Sequence, residues 1–305
     1  MTTEAEDTTG QAPWLDIEPT SVDSEKIALF DSEEDFNGLA VDLLVEVGSW
    51  VCIAGNILPA ETRHWSRGQA IIGGNLVRLY KLLSGVLDQT CQRRRETAFI
   101  FSRLAFECIV NITYLIEFSS QELFESYIRY SLRHERKLRD RINQNIVARG
   151  GEVFAIERRM LASIERTACR SGINLDDVSP SAPKNWGEKN LYERADAIGL
   201  GQAYLGAFGG PSHSVHGNWM DLLEYHLDDD GEGTGGFQPE FAWHRPRPQP
   251  LFMLARLSVE MLSRFLGFVQ GTNDAGPLEP RLRDLLGRIG TADKAHEQFL
   301  MKRTD

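Results

Sequence analysis

Two histidines stand three residues apart in FGGPSHSVHGNW, the segment of residues 208–219. His213 and His216 follow a Gly-Gly-Pro, and proline suits the first turn of a helix because its missing N–H is not needed there. The pattern predicts a helix that begins at Pro211. Because the start of a helix carries the positive end of its dipole, an imidazole there favours the neutral form, which can accept a proton, donate a hydrogen bond or bind a metal.

Three interpretations of these histidines stay open. In the catalytic one, His216 is a general base, and its partner is Glu107 or Ser212, which lies one helical turn before it. In the structural one, His216 forms a hydrogen bond with Glu107 or Asn111 on a neighbouring helix. In the third, His213 and His216 bind a metal, but an HxxH pair alone is a weak metal signal, and we predict neither metal nor cofactor.

A second group of polar residues interrupts the most apolar helix of the chain, predicted over residues 97–118. Arg103, Glu107 and Asn111 stand four residues apart in RLAFECIVN and therefore share one stripe of that helix. Buried charges are costly unless they are paired, so Arg103 and Glu107 are predicted either to pair along the helix or to line a site. In a site, Glu107 is the acid or base and Arg103 binds an anion.

These two groups lead to a single prediction for the site. We expect the 97–118 helix to meet the histidine-bearing helix, because both carry polar groups on otherwise apolar surroundings. The residues predicted to converge there are Arg103, Glu107, Asn111, Ser212, His213 and His216.

The elements that must position these residues are helices. Apolar residues recur with helical spacing along most of the chain, and no convincing strand pattern appears, so we predict an all-α fold, an irregular bundle of about seven to nine helices. Three capping boxes predict helix starts: Ser32 with Asp35, Ser66 with Gln69, and Ser119 with Glu122.

Composition divides the chain into three regions. Residues 1–25 are predicted to be a disordered acidic tail, residues 26–270 a single helical domain with a linker at 228–250, and residues 271–305 a polar C-terminal extension. Of the net charge of −11, residues 1–46 contribute thirteen acidic side chains against one lysine. The remainder is nearly neutral, so the overall acidity does not exclude a nucleic-acid partner.

Other features predict a cytoplasmic protein without a membrane partner. The first residues lack the basic start and apolar core of a signal peptide, and charged residues make the 97–118 helix a poor membrane span. The four cysteines form no CxxC pair and are predicted to be reduced, mostly buried thiols. The oligomeric state is left open.

The middle of the chain is basic. Residues 93–170 hold fifteen Lys or Arg against ten Asp or Glu. Arg129, Arg133, Arg136 and Lys137 cluster on one side of a predicted helix, which could follow the phosphates of a nucleic acid. The alternative is a solvated helix face with internal ion pairs.

Two segments carry a resemblance to a known family. RLAFECIVNITYL and NWGEKNLYERADAIGLGQAYLGAFGGPSHSVHGNW resemble a bacterial all-helical family known only as domain of unknown function 5677, over roughly residues 60–227. Members often have Tyr-Arg before the serine, where this chain has Gly-Gly-Pro and so lacks an aromatic hydroxyl and a positive charge. The resemblance picks out Arg103, Glu107, Ser212, His216 and Gly217.

The all-helical character of that family suggests kinship with HEPN-type proteins, whose ribonucleases use an arginine followed four to six residues later by a histidine. Arg129 and His134 have this spacing, but about two such matches are expected by chance in this chain, and Tyr130 stands where a polar residue is usual. The kinship implies a metal-independent ribonuclease or RNA-binding effector in bacterial defence or stress response.

The competing hypothesis is a non-catalytic interaction module. Its Arg/Glu/His cluster is structural, and a protein partner docks on the basic face or on the proline-rich segment 245–250.

Overall fold

The computed structural model describes residues 17–59, 62–181, 185–229, 236–272 and 275–304, without the side chain of the last residue. Helices dominate, which confirms the all-α prediction, and they are more numerous than predicted because the segment before the linker divides into short pieces. The helices are α1 (Ser24–Ile27), α2 (Glu33–Gly55), α3 (Arg67–Cys91), α4 (Arg95–Glu117), α5 (Gln121–Ala148), α6 (Ala155–Ser171), α7 (Leu191–Ala197), α8 (Gly201–Tyr204), α9 (Gly210–His216), α10 (Trp219–Tyr225), α11 (Pro248–Gln270) and α12 (Glu279–Thr304).

The chain divides into two compact units, where the sequence predicted one domain. Unit 1 comprises the described residues of Met1–Ile116 and Ala195–Asp305, and unit 2 is Glu117–Arg194. In unit 1, α2 packs against α3 and α11, and α11 packs against α12. In unit 2, α5 packs against α6.

Local sequence signals set the helix starts. Ser32 and Ser66 cap α2 and α3 with complete capping boxes, as predicted. The third prediction is wrong by one residue: Ser120, not Ser119, accepts the N–H of Leu123 and caps α5.

A glycine allows α4 to approach α3 closely. A Cβ atom at Gly85 of α3 would lie 2.7 Å from the ring of Phe101 on α4. The glycine therefore weakens helix propensity but makes room for an aromatic side chain of the neighbouring helix.

The predicted polar extension after residue 270 is wrong as a description of α12. Leu282, Leu285, Ile289 and Ala292 are buried, and their spacing of three and four residues puts them on one face of the helix. That face packs against α2 and α11. The polar residues that dominate the segment lie on the other sides of an amphipathic core helix.

The predicted linker contains a short hairpin. β1 (Leu227–Asp229) pairs antiparallel with β2 (Phe237–Pro239), and the residues between them lie outside the described part of the chain. The following segment lies along the start of α4, because Arg95 donates its backbone N–H to the His244 oxygen and its Nε to the Arg245 oxygen.

Three helices are long and apolar enough to cross a membrane by length and composition alone. They are Glu33–Gly55, Arg67–Cys91 and Arg95–Glu117, with mean hydropathies of 1.6, 1.3 and 1.6.

The four cysteines are free, and only Cys108 is buried. The prediction of mostly buried thiols is therefore wrong for Cys52, Cys91 and Cys169. Burial raises the pKa of the Cys108 thiol to about 11, and this thiol donates to the carbonyl oxygen of Asn75 on α3. A thiol held protonated in this way is a packing group and not a nucleophile.

A buried ion pair joins α2 to α12. Arg288 donates to both carboxylate oxygens of Glu46 over 2.7 Å each, and the side chains are 16% and 4% exposed. Thr20 completes the cluster: its backbone N–H donates to Glu46, and its carbonyl oxygen accepts from Arg288. The tail predicted to be disordered over residues 1–25 is therefore ordered around Thr20. Residues 1–16 of that tail lie outside the described part of the chain.

We expect Glu46→Gln to lower the free energy of unfolding by about 2–3 kcal/mol, because it removes the buried carboxylate of the pair and leaves Arg288 with only the exposed carboxylate of Asp284 as a counter-charge. Burial alone would raise the pKa of Glu46, but hydrogen bonds from Arg288 and Thr20 hold it below its usual value. The stabilisation is therefore present at neutral pH and is lost in acid, as Glu46 becomes protonated.

Urea unfolding at neutral and acidic pH measures both effects of the change at Glu46. Glu260→Gln is the matched control, since its exposed pair with Arg256 should contribute less than about 1 kcal/mol. Equal losses in the two variants would contradict the role given to Glu46.

His296 of α12 is fully buried among aromatic rings. Its ring centroid lies 5.0 Å from that of Phe36, 6.2 Å from Phe252 and 6.4 Å from Phe299. Neither ring nitrogen has a hydrogen-bond partner in the described part of the chain. No hydrogen bond replaces those that the imidazole made to water before folding, and burial disfavours its protonation.

We expect His296→Leu to raise the free energy of unfolding at neutral pH by about 1 kcal/mol or more, because it removes partnerless buried nitrogens. Burial lowers the pKa of His296, although Glu33, Glu297 and Asp293 oppose the shift. Wild-type stability should therefore fall as pH drops below about 6.5, where the unfolded imidazole gains a proton that the folded one excludes.

Chemical denaturation across the mildly acidic range tests this pH dependence. His296→Leu should lose the slope, whereas His134→Leu, at an exposed histidine of α5, should keep it. A slope that survives in His296→Leu would show that another group is responsible.

Candidate functional site

The histidines lie at the end of a helix and not at its start. α8, a π-helical turn at Leu205–Gly209 and α9 form one continuous helix, because the residues at both junctions keep right-handed helical dihedrals. The predicted start at Pro211 is therefore wrong. Gly217 ends the helix in the left-handed region, with φ 56°. His213 and His216 face the negative end of the dipole, so the argument for neutral imidazoles loses its basis.

Pro211 explains the π turn physically. A proline inside a helix cannot donate to the carbonyl oxygen four residues back, so the regular ladder is interrupted. Here Gly210 donates to Leu205, five residues back, which is the π-helical bond. The turn inserts one extra residue and changes which side chains before and after it share a face.

Two aromatic residues of the continuous helix reach α4. Tyr204 and Phe208 stack with ring centroids 4.8 Å apart, at an angle of 23°. The Phe208 ring covers the guanidinium carbon of Arg103 at 4.2 Å, and Tyr204 contacts Phe106 edge-on at 6.5 Å. The continuous helix and α4 therefore meet around a half-buried arginine.

The polar side chains in the stripe of α4 do not pair with one another. Arg103 and Glu107 form no ion pair in the described part of the chain, so the pairing predicted along the helix is absent there. Nε of Arg103 and Oδ1 of Asn111 are buried without hydrogen-bond partners. Burial raises the pKa of the Tyr204 phenol, Arg103 opposes this and Glu107 adds to it, which puts both charges within electrostatic reach of the phenol.

His213 has a structural partner. The side-chain amide of Asn218 donates to its Nδ1, while the amide oxygen accepts the N–H of Asp221 and caps α10. Because the capping bond fixes which end of the amide faces the imidazole, the proton of a neutral His213 belongs on Nε2. His213 thereby links the end of α9 to the start of α10.

His216 and Ser212 do not form a pair. Ser212 donates its hydroxyl to the Phe208 carbonyl oxygen over 2.5 Å, one turn back in the same helix. His216 is exposed at the last position of α9 and has no hydrogen bond to Ser212, Glu107 or Asn111 among the described residues. Of the predicted site residues, Arg103 and Glu107 share surroundings through Tyr204, and the histidines lie apart from these contacts.

Sequence reasoning missed the aromatic part of the site. Tyr204 and Phe208 stand four residues apart, a spacing that puts two rings on one face of a helix, and this was the available signal. A buried polar cluster was also missed: Glu96, 6% exposed, lies 3.4 Å from Nδ1 of His244, whose ring meets that of Tyr225 at 5.3 Å. No local signal announces that cluster, because Glu96 and His244 are 148 positions apart.

In unit 2, two of the four predicted nucleic-acid ligands hold a loop. Arg129 donates to the carbonyl oxygen of Asp177 and Arg136 to that of Leu175, so both secure the 3-10 turn Leu175–Asp177. Each also pairs with a carboxylate on its own helix.

The other two predicted ligands differ from this pattern. The Arg133 guanidinium lies 4.7 Å from the ring centroid of Tyr130, and Lys137 is exposed. The basic side of α5 thus resembles a solvated face with internal ion pairs more than a row of free cations.

The chain matches the model of a family of unknown function, DUF5677, over residues 69–234. This is just over half of the sequence. The chain belongs to that family. No curated protein matches it significantly, and no solved structure does. The DUF5677 region contains the stripe of α4, the π turn and all of unit 2, and it excludes α2, α11 and α12.

The described residues contain no group of three or more His, Cys, Asp or Glu arranged to hold a metal ion. What the DUF5677 region does offer is a half-buried cation, Arg103, with an aromatic cover and a carboxylate one turn away. Such an arrangement can bind an anion and hold an acid or base beside it.

We expect Asn218→Ala to destabilise the fold by about 1 kcal/mol or more, because it removes both a helix cap and the link to His213. His216→Ala should change stability by less than about 0.5 kcal/mol, since His216 is exposed and unbonded. Urea unfolding of both variants, with His213→Ala and the Asn218/His213 double variant, measures the coupling. A larger loss of stability for His216→Ala than for Asn218→Ala would support the structural interpretation of His216.

Proposed function

We propose that the protein binds RNA at Arg103 and cleaves it without a metal. The observation that carries this proposal is the state of Arg103: a half-buried guanidinium with no ion pair in the described chain, a buried Nε without a hydrogen-bond partner and Phe208 over its face. A cation in such a place is poorly solvated and gains from an anion that supplies the missing contacts.

A phosphate fits this need well. Guanidinium groups bind phosphate oxygens through two parallel hydrogen bonds, and an aromatic cover keeps the group in a fixed plane. RNA adds a second element, because its unstacked bases can stack on aromatic side chains such as Tyr204 and Phe208. The aromatic pair and Arg103 together offer one contact for a base and one for the backbone.

The cleavage step requires an acid and a base. In metal-independent RNA cleavage the 2′-hydroxyl loses its proton to a base and attacks the adjacent phosphorus, while an acid protonates the leaving 5′-oxygen. Glu107, half-buried one turn from Arg103, is the proposed acid. His216, exposed at the end of α9, is the proposed base, and both groups must reach the same phosphodiester when RNA is bound.

The biological part of the proposal rests on the kinship with HEPN-type proteins. It assigns the protein to bacterial defence or stress response, acting in the cytoplasm. The net positive charge of residues 93–170 supports an RNA partner. Arg129 and Arg136 contribute less to this argument, because both are bonded to the 3-10 turn at 175–177.

Binding and cleavage of a labelled single-stranded RNA test the proposal. We expect Arg103→Ala to weaken binding by about 10–100-fold, the loss typical of a charge-assisted contact. Glu107→Gln and His216→Ala should keep binding and lose cleavage. Arg264→Ala, at an exposed arginine of α11, is the matched control and should behave as wild type.

Three results would refute the proposal in different ways. Unchanged binding by Arg103→Ala places the RNA elsewhere, and Lys137→Ala then tests the face of α5. Cleavage that survives both Glu107→Gln and His216→Ala removes these residues from the reaction. If the folded wild type binds no RNA, the RNA proposal is refuted and the non-catalytic interaction module is the remaining candidate function.

One observation favours the interaction module as a second candidate function. Aromatic side chains around the hairpin are strongly exposed: Phe241 at 88%, Trp219 at 57% and Trp243 at 53%. Exposed aromatic residues are typical of protein interfaces. The proline-rich segment predicted as a docking site is less suitable, because Pro248 is buried and begins α11.

A further inference from the structure

A cleft of about 450 Å³ lies in unit 1, outside the region that matches the family. One wall is α1 with the residues that follow it, and the other is α12. Its apolar lining comes from both walls and from Phe36 of α2; the wall residues are Ile27, Ala28, Phe30, Ala295 and Phe299. A cleft of this size is within the range that holds a ligand or the anchor side chains of a partner.

The α12 wall is one uncovered face of a helix. The residues that it contributes are Thr291, Lys294, Ala295, Gln298, Phe299 and Lys302. Their spacing of three and four residues follows the helix for three turns, roughly 16 Å. The adjacent face, with Ile289, Ala292 and His296, is buried against the core. α12 thus has one face in the core and a neighbouring face that lines an open groove.

The charged side chains that line the groove have a single sign. Lys294 and Lys302 are its charged lining residues among those described, and both are exposed. Two apolar side chains beside it are also exposed, Leu29 at 82% and Met301 at 69%. The groove therefore combines an apolar floor, an apolar rim and two ammonium groups roughly two helical turns apart.

We propose that this groove docks an acidic amphipathic helix of a partner protein. A helix three turns long matches the uncovered face of α12, and its apolar side chains at i, i+3 or i+4, and i+7 would enter the floor between Phe30 and Phe299. Acidic residues flanking that apolar stripe would lie beside Lys294 and Lys302. The charge complementarity selects an acidic helix over a neutral or basic one.

Selection from a displayed library of helical peptides tests the proposal. The library fixes apolar residues at i, i+4 and i+7 and randomises the flanking positions. We expect wild-type protein to enrich Asp and Glu at the flanks. The best peptide should bind at least about tenfold more weakly to the double variant Lys294→Glu/Lys302→Glu, and more weakly as salt is raised.

Two further variants locate the binding. Lys81→Glu/Arg264→Glu reverses the same amount of charge at exposed residues of α3 and α11 that do not line the groove, and it should bind like wild type. Ala295→Trp fills the floor and should abolish binding, with circular dichroism confirming the fold. All these changes lie outside the proposed RNA site, so RNA binding by each variant should equal that of wild type.

The proposal is overturned by any of three results. The first is no enriched peptide. The second is enrichment of neutral or basic flanks. The third is a peptide that binds equally to wild type and to Lys294→Glu/Lys302→Glu. Sedimentation with anionic lipid vesicles gives the competing outcome: vesicle binding that needs the two lysines, without peptide binding, assigns the groove to a membrane surface.

Discussion

The buried ion pair between Glu46 and Arg288 is the contact on which unit 1 depends. With Thr20 it joins parts of the chain that are up to 268 positions apart. It ties the chain before α1 and the helix α12 to α2. A bidentate pair with further hydrogen bonds to the backbone leaves few polar atoms unsatisfied, which is the condition for burying two charges.

A second constraint, Pro211, determines the candidate site. Because the proline ring removes one N–H, the helix takes a π turn, and this turn contains Phe208, whose ring stacks on Tyr204 and covers Arg103. Gly-Gly-Pro therefore sets the backbone geometry of this turn. The positive charge of this site comes from α4, and its aromatic surface comes from the turn before the proline.

Signals confined to one turn were readable from the sequence. The capping boxes at Ser32 and Ser66 were predicted correctly, because a cap depends on residues three positions apart. The stripe of α4 was also found, since its spacing is regular. The partner of Arg103 was not found, because the pairing along the helix competes with stacking on Phe208, and only the tertiary structure decides between them.

Errors arose where local and distant interactions compete. Pro211 reads as a helix start, since proline is common there, but the preceding residues are helical too and continue through it. The sequence of α12 resembles a polar extension, because only a minority of its residues lie on the buried face. Its place in the core is fixed by Arg288 and the rings around His296, whose partners lie far away in the chain.

The division into two units has a consequence for how the protein forms during synthesis. Unit 2 is one continuous segment, Glu117–Arg194, with its own core, whereas unit 1 needs chain from both sides of it. As the chain leaves the ribosome, unit 2 can complete its structure while α2, α3 and α4 still wait for α11 and α12. Until Arg288 emerges, the Glu46 carboxylate and the apolar faces of those early helices stay open to solvent and to chaperones.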